Sequence, residues 1–415
     1  MQSFIDQQGV PLLTFSRTGH DGLGGYTVRQ SRYAKLGTTP TATRWGVPMC
    51  LRRGETRQCS LLTDETAPIT ISGSGPLVPN AGGTGYYRFE LPAADWDALI
   101  ADADKLTPSE AQATVDSLFA SLLAGRSGVT KLAALAEKLI FYPDSYASDV
   151  ATGALGDLTG ADLLDDAGRR GWRRFVKRLY APLLAQYGFD PRAGAYAAEA
   201  PERAQRRVQI VARLAGAARD KDLRSRLAAA TRDFLAGDTQ ALDQSWLGLG
   251  LDIHLAQGKL RAAKALVDKA LASEDPVFRP AALGAAAGSG RKDVATWLLD
   301  GLADSRLRVS EKRDLLRGVI LNSSTREVGY AWLSAHLDEL TTGAGGIFFA
   351  ARLPALLSRF CSTQRADEFA RKLRPRFAGK PGGLELERTI ERVRNCGVLQ
   401  AQRKDALSAE FARLK

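Results

Sequence analysis

The residues best suited to chemistry in this 415-residue chain are three histidines, four cysteines, two Gly-Lys pairs and a short glycine-serine run. His20 precedes Asp21, His254 precedes Leu255 and His336 precedes Leu337. No H-E-x-x-H helix therefore places two imidazoles and a carboxylate around zinc. The cysteines contain no C-x-x-C, the spacing of common structural zinc and thioredoxin-like sites. Gly258-Lys259 runs into Leu260 and Gly379-Lys380 into Pro381, where a phosphate-binding P-loop needs Ser or Thr. Gly73-Ser74-Gly75 lacks the G-x-S-x-G spacing of a nucleophile elbow. No catalytic constellation and no metal-ligand set is complete, and the residues imply no cofactor for this chain.

As pairs the cysteines say more. MCLRRGETRQCSL (49–61) reads as a hairpin closed by Gly54-Glu55, a glycine-first pair suited to a type II′ turn. Counting outward pairs Arg53 with Thr56, Arg52 with Arg57, Leu51 with Gln58 and Cys50 with Cys59. The two cysteines then fall on a non-hydrogen-bonded pair, where Cα atoms approach to about 4.5 Å, within disulfide reach. A bond is expected there, and Cys361 and Cys396 remain as a second candidate pair. Oxidised cysteines imply a periplasmic or secreted protein; four thiols in a cytoplasmic one is the alternative.

The elements that would position these groups divide at about residue 92. Before it, VPLLTF (10–15), YTVRQSRY (26–33), VPMCLRR (47–53), RQCSLLT (57–63), PITIS (68–72) and YYRFEL (86–91) are short alternating runs parted by turn residues, the pattern of a small β-sandwich. After it the period changes. Thr107, Pro108 and Glu110 make a capping box with proline at the first helical position, followed by Val115, Leu118, Phe119, Leu122 and Leu123 at helical spacing. Similar amphipathic segments continue to the end, separated by breaks such as AGRSG, YPDS, YGFDPRAG, AGD and GKPGG. Arg291, Trp297 and Leu298 recur as Arg326, Trp332 and Leu333, 35 residues on, as stacked helical pairs would. The expected fold is a β-sandwich over 1–92 and an all-α, right-handed superhelical solenoid of HEAT/armadillo type over 93–415.

Composition narrows the function classes. Hydrophobic content of 45% with 25% charged residues is that of a globular protein, and no run reaches the ~18 apolar residues of a membrane helix. The opening MQSFIDQQGVPLLTF lacks the basic start and apolar core of a signal peptide. The net charge of +11, from 57 basic and 46 acidic residues, could suggest an acidic partner, yet no tail or arm concentrates it. The densest run, Arg169, Arg170, Arg173, Arg174, Lys177 and Arg178, lies mostly opposite Phe175, Val176 and Leu179 on a helix, as a solvated face does. Nucleic acid is not the expected partner.

The order of the pieces carries a family resemblance. Phe4, Gln7, Gly9 and Pro11 match a W-x-x-Q-x-G-x-P segment with Phe for tryptophan; Gln30, Arg32 and Tyr33 match Q-x-R-F; Trp45 and Pro48 match W-x-x-P. Asn80, Gly85, Tyr86, Tyr87 and Arg88 match N-x-x-x-x-G-Y-Y-R, with Phe89 for the valine that follows. Together with the all-helical tail, this resembles the C-terminal half of the aminopeptidase N-type zinc metallo-aminopeptidases. The family's VRxQD helix is similar to Leu307-Arg308-Val309-Ser310-Glu311, with Asn322 and Trp332 downstream, although the Q-D pair is not kept.

The resemblance implies a fragment of a larger enzyme, with the N-terminal and zinc-bearing catalytic domains in cis and peptides as substrates. The family's G-x-M-E-N loop, H-E-x-x-H with its distal glutamate, and transition-state tyrosine would all precede Phe4, so none is carried over here. This chain would then contribute a surface that packs on the catalytic domain and encloses the peptide, with Arg308, Arg317 and Arg326 as candidates for its carboxylate end. An apolar surface, near the sandwich, is expected to be exposed. The alternative is a free-standing helical scaffold for a protein or peptide partner.

Overall fold

The computed structural model describes residues 2–18, 25–341 and 346–414, with backbone alone at 341 and 346–350. His20 lies outside the described residues. Two compact units divide the chain. One comprises Met1–Thr159, Leu163–Trp172 and Val398–Lys415, the other Gly160–Asp162 and Arg173–Gly397.

The first unit opens on a short helix, Gln2–Asp6, and seven strands: β1 (Pro11–Arg17), β2 (Gly25–Arg32), β3 (Val47–Arg53), β4 (Thr56–Leu62), β5 (Thr66–Thr70), β6 (Leu77–Val78) and β7 (Arg88–Glu90). They form a four-stranded sheet, β5-β2-β1-β7, and a three-stranded one, β4-β3-β6. Alternation decides which side chains face inward: Tyr26, Val28 and Gln30 of β2 and Val47, Met49 and Leu51 of β3 are buried. The first five expected strands appear with ends shifted by at most two residues. The last is shorter than the run 86–91 suggested, and the two-residue β6 is too brief to show any alternation.

Motif residues tie this unit together. Gln30, in the inner face of one sheet, donates to the Trp45 carbonyl at 3.0 Å and accepts from the Trp45 N–H at 2.9 Å, which anchors the entry to β3 in the other sheet. The β3–β4 register is the one the two-residue loop dictates, with Cys50 opposite Cys59. Gly54 alone of the loop pair has positive φ, at 57°, as a type II′ turn requires. Cys50 and Cys59 are joined with Cα atoms 4.0 Å apart, and Cys361 and Cys396 are also joined.

The glycine-rich stretch before β7 works by close approach. Asn80, buried, closes a ring with Gly85 through two 2.9 Å hydrogen bonds between its amide and the glycine backbone. A Cβ on Gly85 would collide with the Tyr87 ring, so only glycine lets that ring turn into the sandwich. There the Tyr87 hydroxyl donates to the Pro79 carbonyl at 2.7 Å. Beyond β7, helix Ala93–Ala101 begins at once, and the helix Pro108–Leu123 starts on the expected capping box. Arg88 pairs with Asp116 on that helix at 2.8 Å and lies over the Tyr33 ring, whose hydroxyl donates to the Ala120 carbonyl. The terminal stretch returns to the same unit: Glu410 accepts the Val129 N–H at 2.7 Å, and Arg403 donates to the Gly125 carbonyl at 2.7 Å.

In the second unit helices stack as a solenoid in two rows. Gln244–Gln257 packs on Phe278–Gly288, which packs on Val309–Leu321; Leu260–Leu271 packs on Lys292–Asp300, which packs on Arg326–Ala335. The 35-residue recurrence falls on neighbours of the second row, where Leu298 and Leu333 are buried and Trp297 and Trp332 half-buried. The basic run in helix Asp166–Tyr187 faces away from buried Trp172, Phe175, Val176 and Leu179.

The two adjacent tyrosines provide a test. Tyr87 is buried and Tyr86 is 67% exposed. Tyr87→Ala should cost about 3–5 kcal/mol by the large-to-small rule, and Tyr86→Ala within about 0.5 kcal/mol of nothing. Denaturant unfolding of the two variants is the measurement; equal losses would contradict the packing.

Candidate functional site

The helix Val309–Leu321 carries two of the three candidate arginines, Arg308 at its N-cap and Arg317 within it. It starts where Glu311, three residues into the chain's turn, accepts the Arg308 N–H at 2.8 Å. The same carboxylate takes a two-pronged contact from Arg279, at 2.7 and 3.0 Å, with the Arg279 side chain only 5% exposed. Arg279 beside it lowers the Glu311 carboxyl, against the opposing effect of burial. Glu311 is thus a structural acid: it caps one helix and neutralises a guanidinium buried at the start of another.

The three arginines do not converge. Arg308 is exposed and pairs with Glu274 at 3.3 Å. Arg317 is exposed on the same helix and makes no ion pair or side-chain hydrogen bond among the described residues. Nine residues at about 100° each put these two on opposite sides of the helix, roughly 13 Å apart along it. Arg326 is 4% exposed, and its guanidinium reaches Asp162 at 3.1 Å and the carbonyls of Ile320 and Leu321 at 3.3 and 3.4 Å. Those carbonyls close the C-terminal end of the preceding helix, where a cation is favoured. The Arg326 charge is committed to holding that corner, and burial pulls its pKa down while Asp162 pushes it up.

Around Arg326 lies a cleft of about 440 Å³ that also presents Glu327, Phe360, Arg365 and Glu368. Tyr330, Phe360 and Phe369 form a ring cluster with centroids 5.2 to 5.6 Å apart, and the Arg365 guanidinium sits 5.1 Å from the Tyr330 centroid. Arg365 bridges Glu327 and Glu368, while Glu368 also accepts from Tyr330 at 3.1 Å and Lys372 at 2.8 Å. Burial would raise the Glu368 carboxyl, but the bonds from Lys372, Arg365 and Tyr330 outweigh it and hold it at about 2. Burial in turn pushes the Tyr330 hydroxyl up to about 12. Cations and carboxylates here satisfy one another, which makes the cleft a closed ion-pair network rather than a receptor for a further charge. Sequence reasoning missed Arg365 and Glu368, although their three-residue spacing on one helix was a readable sign.

No group of three or more His, Cys, Asp or Glu among the described residues is placed to hold a metal ion. All four cysteines are consumed in disulfides. The His336 ring stacks on Trp332 at 4.1 Å with Nδ1 facing its carbonyl, and burial lowers the His254 pKa beside Arg232. The described residues therefore do not fit a catalytic zinc.

A different surface stands out on the sandwich. Ile5, Leu61 and Tyr86 are 76, 62 and 67% exposed. Phe4 and Trp45 link their surroundings: Phe4, which precedes Ile5, meets Tyr86 edge-on at 6.1 Å and Trp45 at 6.5 Å, and Leu61 lies against Gly46, which follows Trp45. Three large apolar side chains this exposed around one aromatic pair make a surface suited to a covering partner.

A model of the family described as the ERAP1-like C-terminal domain matches residues 77–395. The chain belongs to the ERAP1-like C-terminal domain family. The match runs from β6 into the first part of the final helix, Gly383–Arg413, and it makes this an aminopeptidase-associated C-terminal domain, in agreement with the resemblance read from Asn80 to Arg88. Strands β1 to β5 precede the matched residues. No described helix is long and apolar enough to cross a membrane.

The Glu368 network predicts an acid limb of stability. Its folded pKa lies below the ordinary value of 4.5, so its contribution is present above pH 4.5 and is lost as the pH falls toward about 2. Glu368→Gln should flatten that limb of the stability profile relative to the parent; an unchanged slope between those values would contradict the network.

Proposed function

We propose that the chain is the non-catalytic C-terminal portion of a zinc aminopeptidase that removes N-terminal residues from peptides. The observation that carries this reading is the family match, joined to an uncovered apolar patch on the sandwich that suits packing against a catalytic domain in cis. The metal and its water-activating chemistry would belong to that domain. The helical unit would enclose the peptide and hold it for the active site.

Within the helical unit, the row containing helices 244–257, 278–288 and 309–321 is the best suited to a peptide. Gly248, Gly284 and Gly288 of that row have open space where a side chain would stand, which lets a peptide backbone approach. Asp252 on the same row is solvent-exposed yet crowded enough that desolvation pushes its carboxyl up to about 6. Arg317, exposed and unpaired among the described residues, is the arginine best placed to meet a peptide carboxylate; Arg308 is second, because Glu274 competes for it. Arg326 is held within the fold by Asp162 and two backbone carbonyls. Two disulfides favour an oxidising compartment, periplasmic or secreted.

A scaffold without any hydrolytic partner is the competing reading, and one experiment separates them. The chain alone is expected neither to bind stoichiometric zinc nor to release N-terminal residues from peptides. Mixed with the zinc-bearing domain of the same enzyme, it should raise peptidase activity, and Ile5→Ser with Leu61→Ser should weaken that association while leaving the unfolding midpoint within the range of surface substitutions. Activity in the chain alone would overturn the assignment; mixing without effect would favour the scaffold.

A further inference from the structure

We propose that a basic cleft at the start of helix Lys221–Leu235 binds a small phosphate-class polyanion. The cleft, about 310 Å³, is lined by Arg219, Lys221, Arg224, Ser225, Arg232 and Gln257 over a floor of Ala228 and Ala229. Four cations and two neutral polar groups line it, and no carboxylate does. Many arginines elsewhere in the chain instead face a carboxylate, as Arg207, Arg279 and Arg326 do. Arg219, Lys221 and Arg232 make no ion pair among the described residues, and Arg224 reaches only the Ala215 carbonyl, at 3.0 Å. Of the neighbouring acids, Asp220 pairs with Lys177 at 2.8 Å and caps the helix through the N–H groups of Asp222 and Leu223, Asp222 lies 3.9 Å from Arg226, and Asp233, next to Arg232, does not line the cleft.

Local structure gathers the charges. Lys221, Arg224, Ser225, Ala228 and Arg232 fall at helical spacing on one face. A π-helical turn, Ala212–Ala217, precedes them, and Arg219 follows it with φ of 55°, a left-handed conformation that a non-glycine residue holds at a cost. That reversal delivers a fourth cation to the cleft. Burial and the neighbouring Arg219 lower the Arg224 pKa, as happens when like charges crowd without a counter-ion.

The ligand class follows from charge and lining. A monocarboxylate answers one of four cations, whereas linked phosphates present several charges and many acceptors within one compact body. A single-stranded nucleic acid is less suited, since its bases need aromatic faces to stack on and the lining has none. The site is separate from the reading of the chain as an aminopeptidase domain and does not depend on it.

Calorimetric titration of the full chain at roughly 0.15 M salt, with orthophosphate, tripolyphosphate, citrate and a single-stranded oligonucleotide, tests the proposal. Tripolyphosphate should bind at one site, about tenfold or more tighter than orthophosphate or citrate. Arg224→Gln with Arg232→Gln should weaken it by about tenfold or more with an unchanged circular dichroism spectrum, while Arg169→Gln with Arg170→Gln, in the other basic run, should leave it intact. Four results would overturn the proposal: no saturable tripolyphosphate binding, equal loss in both double variants, citrate binding as tightly, or tighter binding of the oligonucleotide through the same arginines.

Discussion

A single buried carboxylate, Glu110, holds the sandwich to the helices that follow it. Its side chain is 1% exposed, and a lone charge at that depth would be strongly disfavoured. Four donors answer it: Arg52 of β3 at 3.0 and 2.7 Å, the Gly82 N–H at 2.9 Å and the Thr107 N–H at 3.0 Å. One residue thereby joins a sheet, the glycine turn before β7 and the first turn of helix Pro108–Leu123. Burial opposes ionisation of Glu110, but Arg52, Gly82 and Thr107 together keep its pKa below the ordinary value. Around this point Tyr87 fills the sandwich and Arg88 clamps the helix, so the motif residues that suggested the family are the fasteners of the junction.

Arginine is used the same way throughout the helical unit. Arg207, Arg279 and Arg326 are all buried, and each reaches a carboxylate together with backbone carbonyls. The planar guanidinium suits this, because it can bridge several acceptors at fixed angles where lysine would offer a point charge. The net charge of +11 is therefore a poor guide to partners. Its informative part is where cations without an ion pair converge on one cleft, at Arg219, Lys221, Arg224 and Arg232.

What was legible in the sequence was local. The hairpin register followed from two loop residues, and the start of helix Pro108–Leu123 followed from a capping box, because both are set by bonds spanning a few positions. The strand alternation and the helical periods gave the order of architecture for the same reason. Long-range pairs were not legible: Arg326 meets Asp162 across 164 residues, and nothing near either one announces the other. For that reason Arg326 looked like a ligand residue in the sequence and is a structural clip in the fold. The second role of Glu110 was equally hidden, since a capping glutamate and a buried ion-pair partner are spelled alike. An exposed apolar surface near the sandwich was expected from the resemblance, but its residues were not legible, because Ile5, Leu61 and Tyr86 each look ordinary alone.

The claim that Glu110 organises the junction is tested most directly by a double-mutant cycle with Arg52→Met and Glu110→Gln, followed by equilibrium unfolding and by amide exchange at Gly82 and Thr107. Each single change should cost about 3–5 kcal/mol, because each leaves a charge or its donors unanswered, and the pair should cost less than the sum by about 1–3 kcal/mol. Exchange at Gly82 and Thr107 should quicken in Glu110→Gln ahead of the rest of the sandwich. Losses that add to within about 0.5 kcal/mol, with exchange at those two amides unchanged, would contradict the account.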